Sequence, residues 1–150
     1  MIIKILDNFI NQKDCEYVTK NFFNYKDRIN KFKNIYTLQV DDFGVLSKRL
    51  NEQAKIINNS TLDWIQIVRW PKGSYMNLHY DNAKKNTSLA CIIYLNENYK
   101  GGQTYFKDGT IIASKIGRLL FFDGQYYKHG VSKVKKFDRF TIAAWFKPIK

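Results

Sequence analysis

His79 and His129 are the only imidazoles in this 150-residue chain, and Asp81 follows the first of them by two positions. Side chains on a strand alternate between faces, so His79 and Asp81 share one face if this stretch is extended. Two imidazoles and one carboxylate suit Fe(II) on one triangular face, with the opposite positions left open for a co-substrate and oxygen. The third donor, His129 in Lys128-His129-Gly130-Val131, has to arrive from a distant strand. A His-x-Asp standing alone also suits an ordinary hydrogen-bonded histidine, so the rest of the chain has to decide.

At 17.8 kDa the chain is large enough for one domain with a single core. An aromatic content of 16% together with frequent Ile and Val favours strands over a helical bundle. No apolar run is long enough to cross a bilayer. The opening Met1-Ile2-Ile3-Lys4-Ile5-Leu6-Asp7 is broken by charge too early for a secretory leader. Cys15 and Cys91 are too few for a disulfide framework. The expectation is a soluble cytoplasmic protein, not a membrane one, in a reducing compartment that would also keep iron ferrous. A formal charge of +12 admits a nucleic-acid partner. Lysine far outnumbers arginine, however, and arginine is the residue that makes bidentate phosphate and guanine contacts. Most of these lysines therefore read as a solvated surface.

The elements that must position the donors can be read in order. Residues 2 to 6 predict a short edge strand. Asn11 caps a predicted helix through Cys15 and Val18 to Phe22, and Tyr36 to Val40 reads as a strand. Asp42 is the expected cap of a longer helix whose apolar stripe is Val45, Leu46, Leu50, Ala54 and Ile57, ended by Asn58-Asn59-Ser60. From Thr61 the texture changes to short β-rich runs. Trp64 to Trp70 is a strand stopped by Pro71-Lys72-Gly73, and Tyr75 to Asp81 carries two of the donors. Ser88 to Leu95 is nearly continuous apolar strand, expected to be buried on both faces. Gln103 to Phe106 turns back through Asp108-Gly109, Ile116 to Phe122 follows, and His129 to Val134 with Arg139 to Phe146 reads as a last hairpin. The architecture expected is mainly β with flanking helices, a double-sheet jelly roll or barrel. Residues 1–60 give helical and strand support, and residues 61–147 form the core of one domain.

Arg139, Thr141, Ala143 and Trp145 share one face of the last strand by the same alternation. A buried guanidinium on that face needs a carboxylate fork; the alternative is a surface salt bridge to Asp138 or Asp123. Tyr94, on an apolar strand, needs a partner for its hydroxyl, which backbone alone would satisfy.

Taken together, the motifs resemble the 2-oxoglutarate and Fe(II)-dependent dioxygenases, most closely their prolyl 4-hydroxylase-like branch. They run in family order through Trp64 to Gly73, His79-Tyr80-Asp81-Asn82, Ile93-Tyr94-Leu95-Asn96, Tyr99 to Phe106, Gly117 to Phe122, His129-Gly130-Val131 and Arg139-Phe140-Thr141 to Trp145-Phe146. The lead-in Leu6-Asp7-Asn8-Phe9 before a helix is similar as well. The resemblance implies a double-stranded β-helix, cupin-like, with His79, Asp81 and His129 as catalytic metal ligands for Fe(II). It implies 2-oxoglutarate as co-substrate, chelating the metal through its keto-acid end, with its distal carboxylate on Arg139 and Tyr94. Thr141, Trp145 and Trp70 would line that pocket, although Trp70 stands where relatives usually carry tyrosine. O2 is the second co-substrate, and ascorbate is a candidate reductant.

By the same resemblance the substrate is a peptide or protein prolyl residue, hydroxylated at an aliphatic C–H with release of succinate and CO2. Tyr75 and Asn77 share the parity of the metal ligands and would face substrate. Lys84 and Lys85 lie on the candidate closing segment Asn82 to Ser88, and with Lys128, Lys133, Lys135 and Lys136 they would make a basic mouth. The alternatives are the same oxygenase chemistry on a nucleic acid or a free small molecule, or a jelly-roll binding domain without catalysis.

Overall fold

A computed structural model describes residues 2–81 and 86–150. The chain runs β1 (Ile2–Leu6), α1 (Gln12–Phe22), a 3-10 segment (Phe23–Arg28), β2 (Asn30–Phe32), β3 (Ile35–Val40), α2 (Val45–Asn58) and β4 (Ser60–Trp70). It continues with β5 (Met76–His79), β6 (Leu89–Tyr94), β7 (Lys100–Gly101), β8 (Thr104–Phe106), β9 (Ile111–Ile112) and β10 (Leu119–Phe122). The last strands are β11 (His129–Val131), β12 (Val134–Lys136) and β13 (Arg139–Pro148).

These strands form a seven-stranded antiparallel sheet in the order β1-β10-β6-β13-β4-β3-β2, facing a four-stranded sheet in the order β5-β11-β8-β9. A small β12-β7 ladder sits beside them. This is the mainly β jelly roll with flanking helices that the residue patterns predict. β1 is the edge strand expected of it. β6 is buried along almost its whole length because β10 and β13 flank it and both of its faces are covered.

The large sheet has two different faces. On one, Phe140, Ile142, Ala144 and Phe146 of β13 pack with Cys15 and Phe22 of α1 and Leu50 and Ala54 of α2. On the other, Ala90, Tyr94, Leu120 and Phe122 meet Phe106 and Ile112 of the small sheet. Val68 and Trp70 meet Val131 in a third cluster on that side. Period-two alternation along β13 thus sends one set of residues to the helices and leaves Arg139, Thr141, Ala143 and Trp145 facing the gap between sheets.

α1 begins as its residues dictate, with the Asn11 side chain accepting the Asp14 backbone N–H at 2.8 Å. α2 does not. Its N-cap is Gly44, and Asp42 instead accepts the Gly44 N–H at 2.7 Å, closing a turn ahead of the helix. Of its predicted stripe, Leu50 and Ala54 are fully buried, whereas Val45 in the first turn is exposed.

The hairpin expected between His129 and Phe146 is also corrected. β11 pairs with β5 and β8 in the small sheet, while β13 pairs with β4 and β6 in the large one. The connecting β12 leaves both and pairs with β7. Arg139 is therefore not a hairpin neighbour of His129; it approaches from the opposite sheet. Burial drives this choice, because β13 supplies an apolar row to the helix side that a pairing with short β11 would strand in solvent.

Candidate active site

β5 and β11 run antiparallel with His79 and His129 as direct partners. Their ring centroids are 4.5 Å apart, tilted by 54°. Gly130 makes this approach possible: a Cβ there would lie 2.6 Å from the Met76 carbonyl oxygen and 2.8 Å from the Tyr105 ring. Asp81 lies just beyond the end of β5, where its backbone N–H donates to the Gly124 carbonyl at 2.7 Å. Its Oδ1 is 3.2 Å from His129 Nε2 and 3.7 Å from His79 Nε2. One ligand atom from each of the three residues lies within 4.8 Å of the others.

The tautomers follow from the second nitrogens. His79 Nδ1 is 2.7 Å from the Asn77 carbonyl and His129 Nδ1 is 3.3 Å from the Tyr127 carbonyl. A carbonyl only accepts, so each Nδ1 carries the proton and each Nε2 presents a lone pair. Burial, the largest influence on His79, pushes its pKa below the ordinary value and favours this neutral form. Two imidazole lone pairs aimed at a carboxylate oxygen repel one another unless a cation lies between them. The donor set and its open side therefore fit Fe(II).

The second cluster is built around Arg139, which is 1% exposed although charged. Its Nη2 donates to Thr104 Oγ1 at 3.2 Å, while its Nε has no hydrogen-bond partner. Among the described residues no carboxylate pairs with it. The expected surface alternatives are taken: Asp138 pairs with Arg69 at 2.8 Å, and Asp123 accepts the backbone N–H groups of Gln125 and Tyr126 at 3.1 Å each. The guanidinium centre lies 4.8 Å from the Trp70 ring and 5.6 Å from the Tyr94 ring. Tyr94, fully buried, shares a 2.6 Å hydrogen bond with the same Thr104 hydroxyl, so its partner is a side chain rather than backbone. Burial raises the Tyr94 pKa, with Arg139 opposing, and the phenol stays neutral. Thr141, buried opposite Tyr94, adds a hydroxyl to the wall. A desolvated cation without a counter-ion is costly, so this pocket is suited to an anionic ligand such as a carboxylate.

The inward face of β13 joins the two clusters, with Arg139 at one end and Trp145 at the other. Trp145 stacks on Trp64 at 4.0 Å, and its indole N–H donates to Asp81 Oδ2 at 3.3 Å. Trp70 is buried with its indole nitrogen unpaired. Tyr75 and Asn77 are exposed, and it is the main-chain carbonyl of Asn77 that orients His79. Lys84 and Lys85 lie outside the described residues. Lys128 stacks over the Tyr80 ring at 5.5 Å and Lys136 over Phe137 at 5.1 Å. Sequence reasoning assigned no role to Thr104 or Gly124. Thr104 was within reach of it, as the first strand residue after the Gly101-Gly102 turn. Gly124 carried no local signal.

The sequence profile of the 2OG-Fe(II) oxygenase superfamily matches residues 65–147, more than half of the chain, and the chain belongs to that family. Membership implies Fe(II) and 2-oxoglutarate, for which the two clusters supply suitable donors. No curated protein sequence matches it. Among solved structures, a viral collagen prolyl hydroxylase from Paramecium Bursaria Chlorella virus-1, in complex with 2OG, superposes with a TM-score of 0.79 at 19% identity, covering 98% of this chain and 96% of that one. A Pseudomonas putida prolyl-4-hydroxylase gives 0.76 at 14% identity, with 98% and 92% coverage. A Trichoplax adhaerens prolyl hydroxylase, in complex with a hypoxia inducible factor oxygen degradation domain peptide fragment, gives 0.74 at 18% identity, with 96% and 82% coverage. At such identities the likeness is one of fold. Among the described residues no helix is long and apolar enough to cross a membrane.

Proposed function

We propose that this chain is a 2-oxoglutarate- and Fe(II)-dependent dioxygenase that hydroxylates an aliphatic C–H, most specifically that of a prolyl residue in a peptide or protein. The observation that carries the reading is the pairing of a His79, Asp81 and His129 donor set with a buried, counter-ion-free Arg139 on the facing sheet. The bound iron supplies the redox chemistry that couples conversion of 2-oxoglutarate and O2 into succinate and CO2 to transfer of one oxygen atom into the substrate C–H bond.

The residues do the positioning. Asp81, His79 and His129 would hold Fe(II) through one carboxylate and two imidazole donors. Arg139 takes the distal carboxylate of 2-oxoglutarate, and Thr104 and Tyr94 fix the guanidinium in place. Thr141 and Trp70 close the pocket, and the apolar clusters around it exclude water. Residues 61–147 are the catalytic unit, and the helices before them brace the large sheet. Ascorbate would serve as a reductant that keeps bound iron ferrous. Two buried free cysteines, Cys15 and Cys91, suit a reducing cytoplasm, where iron stays ferrous.

The peptide substrate draws on the fold relatives, two of which are described as acting on collagen or bound to a peptide fragment. Mass spectrometry of proline-containing peptide libraries incubated with enzyme, Fe(II), ascorbate and 2-oxoglutarate tests it. A gain of one oxygen on proline is the expected result; oxidation of a nucleobase or a free amino acid instead would replace the substrate and keep the chemistry. The +12 charge is the feature that favours a nucleic acid in that second case.

A further inference from the structure

We infer that Trp145 is a positioning residue for the carboxylate of Asp81, acting with Gly124 as a cradle that decides which carboxylate oxygen meets the two imidazoles. The inference rests on the proposed metal-ligand role of Asp81 and extends it to two residues outside the metal donor set.

Asp81 stands beyond the last residue of β5, so no strand pairing holds its side chain in place. Three contacts do so instead. Its backbone N–H donates to the Gly124 carbonyl at 2.7 Å. Its Oδ2 accepts the Trp145 indole N–H at 3.3 Å. The Gly124 α-carbon abuts the same oxygen, and a Cβ there would sit 2.2 Å from Oδ2 and 2.9 Å from the carboxylate carbon. With Oδ2 engaged on that side, Oδ1 is left 3.2 Å from His129 Nε2 and 3.7 Å from His79 Nε2.

The donor is itself held rigidly. Trp145 is stacked on Trp64 with centroids 4.0 Å apart and planes within 13°, and the two are direct partners on β13 and β4. The large sheet thus sets the orientation of a ligand carried by the small sheet. Oδ2 already has the indole hydrogen bond, which leaves Oδ1 as the oxygen that faces the two imidazoles. Hydrogen bonds to ligating groups of this kind typically change metal affinity by about 10- to 100-fold.

The test is Co(II) binding to the metal-free protein, followed by the visible absorption of the bound ion, for the wild type, Trp145→Phe, Gly124→Ala and Asp81→Ala. Trp145→Phe keeps a ring on Trp64 and removes only the donor; Gly124→Ala pushes on Oδ2 without touching the indole. Both are expected to bind Co(II) about 10- to 100-fold more weakly and to alter its spectrum, and Trp145→Phe to do so with a metal-free melting temperature close to wild type. Wild-type affinity in Trp145→Phe, when Asp81→Ala has lost binding, overturns the positioning role and leaves the metal site standing. Wild-type affinity in Asp81→Ala overturns the metal site itself. If Trp145→Phe lowers only the melting temperature, the indole is packing alone and the inference fails.

Discussion

Arg139 donates to the Thr104 hydroxyl across 3.2 Å, and among the described residues no carboxylate pairs with this buried guanidinium. The two belong to facing sheets, β13 and β8, so the contact spans the interior of the jelly roll. A charge held this way is stabilised by an uncharged hydroxyl and two aromatic faces, which is too little to offset its desolvation.

The first prediction follows from that imbalance. Arg139→Met removes an unpaired buried charge while keeping much of its volume. The ligand-free variant is expected to be as stable as wild type or more so. Addition of 2-oxoglutarate to the metal-loaded protein should raise the wild-type melting temperature further and leave that of the metal-loaded variant unchanged, since a ligand at about 100 times its Kd stabilises by about 2.7 kcal/mol. Thermal melts with and without 2-oxoglutarate read both effects. A large loss of ligand-free stability would mean that Arg139 is a structural ion whose partner lies elsewhere.

Thr104→Val removes the hydroxyl that serves both Tyr94 and Arg139. It leaves a buried phenol without a partner, at a cost of about 1–3 kcal/mol, measurable by urea unfolding. The KM for 2-oxoglutarate should rise with it. Tyr94→Phe is expected to cost less, because Thr104 then keeps Arg139 as its donor. Equal costs would show that the shared hydroxyl does not organise the pocket.

His79→Ala, Asp81→Ala and His129→Ala should each lose iron. Succinate formation should vanish both with and without substrate, since the two processes share one metal. Metal content and 2-oxoglutarate turnover are the measurements. Normal turnover by any of these variants with iron fully loaded would remove that residue from the ligand set.

Stability should depend on pH at both ends. Burial holds the His79 pKa in the metal-free fold below its ordinary 6.5. The unfolded chain therefore binds this proton first, and stability is present above about pH 6.5 and is lost as pH falls through the depressed value. Cys15 behaves oppositely, with burial pushing its thiol from 9.0 up to about 11. Its contribution is complete below about pH 9 and declines as pH rises toward 11. Urea midpoints across pH, compared with Cys15→Ala, separate the alkaline limb. A thiol that reacts readily with alkylating reagent at neutral pH in the folded protein would contradict its burial.

Local chemistry made much of this protein legible from its residues. Asn11 announces α1 because a side-chain acceptor ahead of an apolar periodic run suits a helix start, and here it accepts the Asp14 N–H. β6 announces its burial because six consecutive apolar or aromatic residues have no polar face to offer water. His79, Asp81, His129 and Arg139 stand out because they fall in the family's motif order, and the fold brings one donor atom from each of the first three within 4.8 Å of the others. Short-range patterns were misleading where a neighbour competed: Asp42 reads as a cap, yet Gly44, with a positive φ of 61°, takes the position and Asp42 closes the turn before it.

Residue order and alternation therefore determined which side chains share a face, and the resemblance carried by the motifs named the chemistry they would serve. Only the tertiary structure decided what faces what. Arg139 follows His129 closely in sequence, which suggests one hairpin, yet they come from opposite sheets. Thr104, Gly124 and Trp145 enter the site through contacts between segments far apart in the chain. The physical reason is that a strand's period is set by its own backbone, whereas its partner is chosen by which pairing buries the most apolar surface across the whole fold.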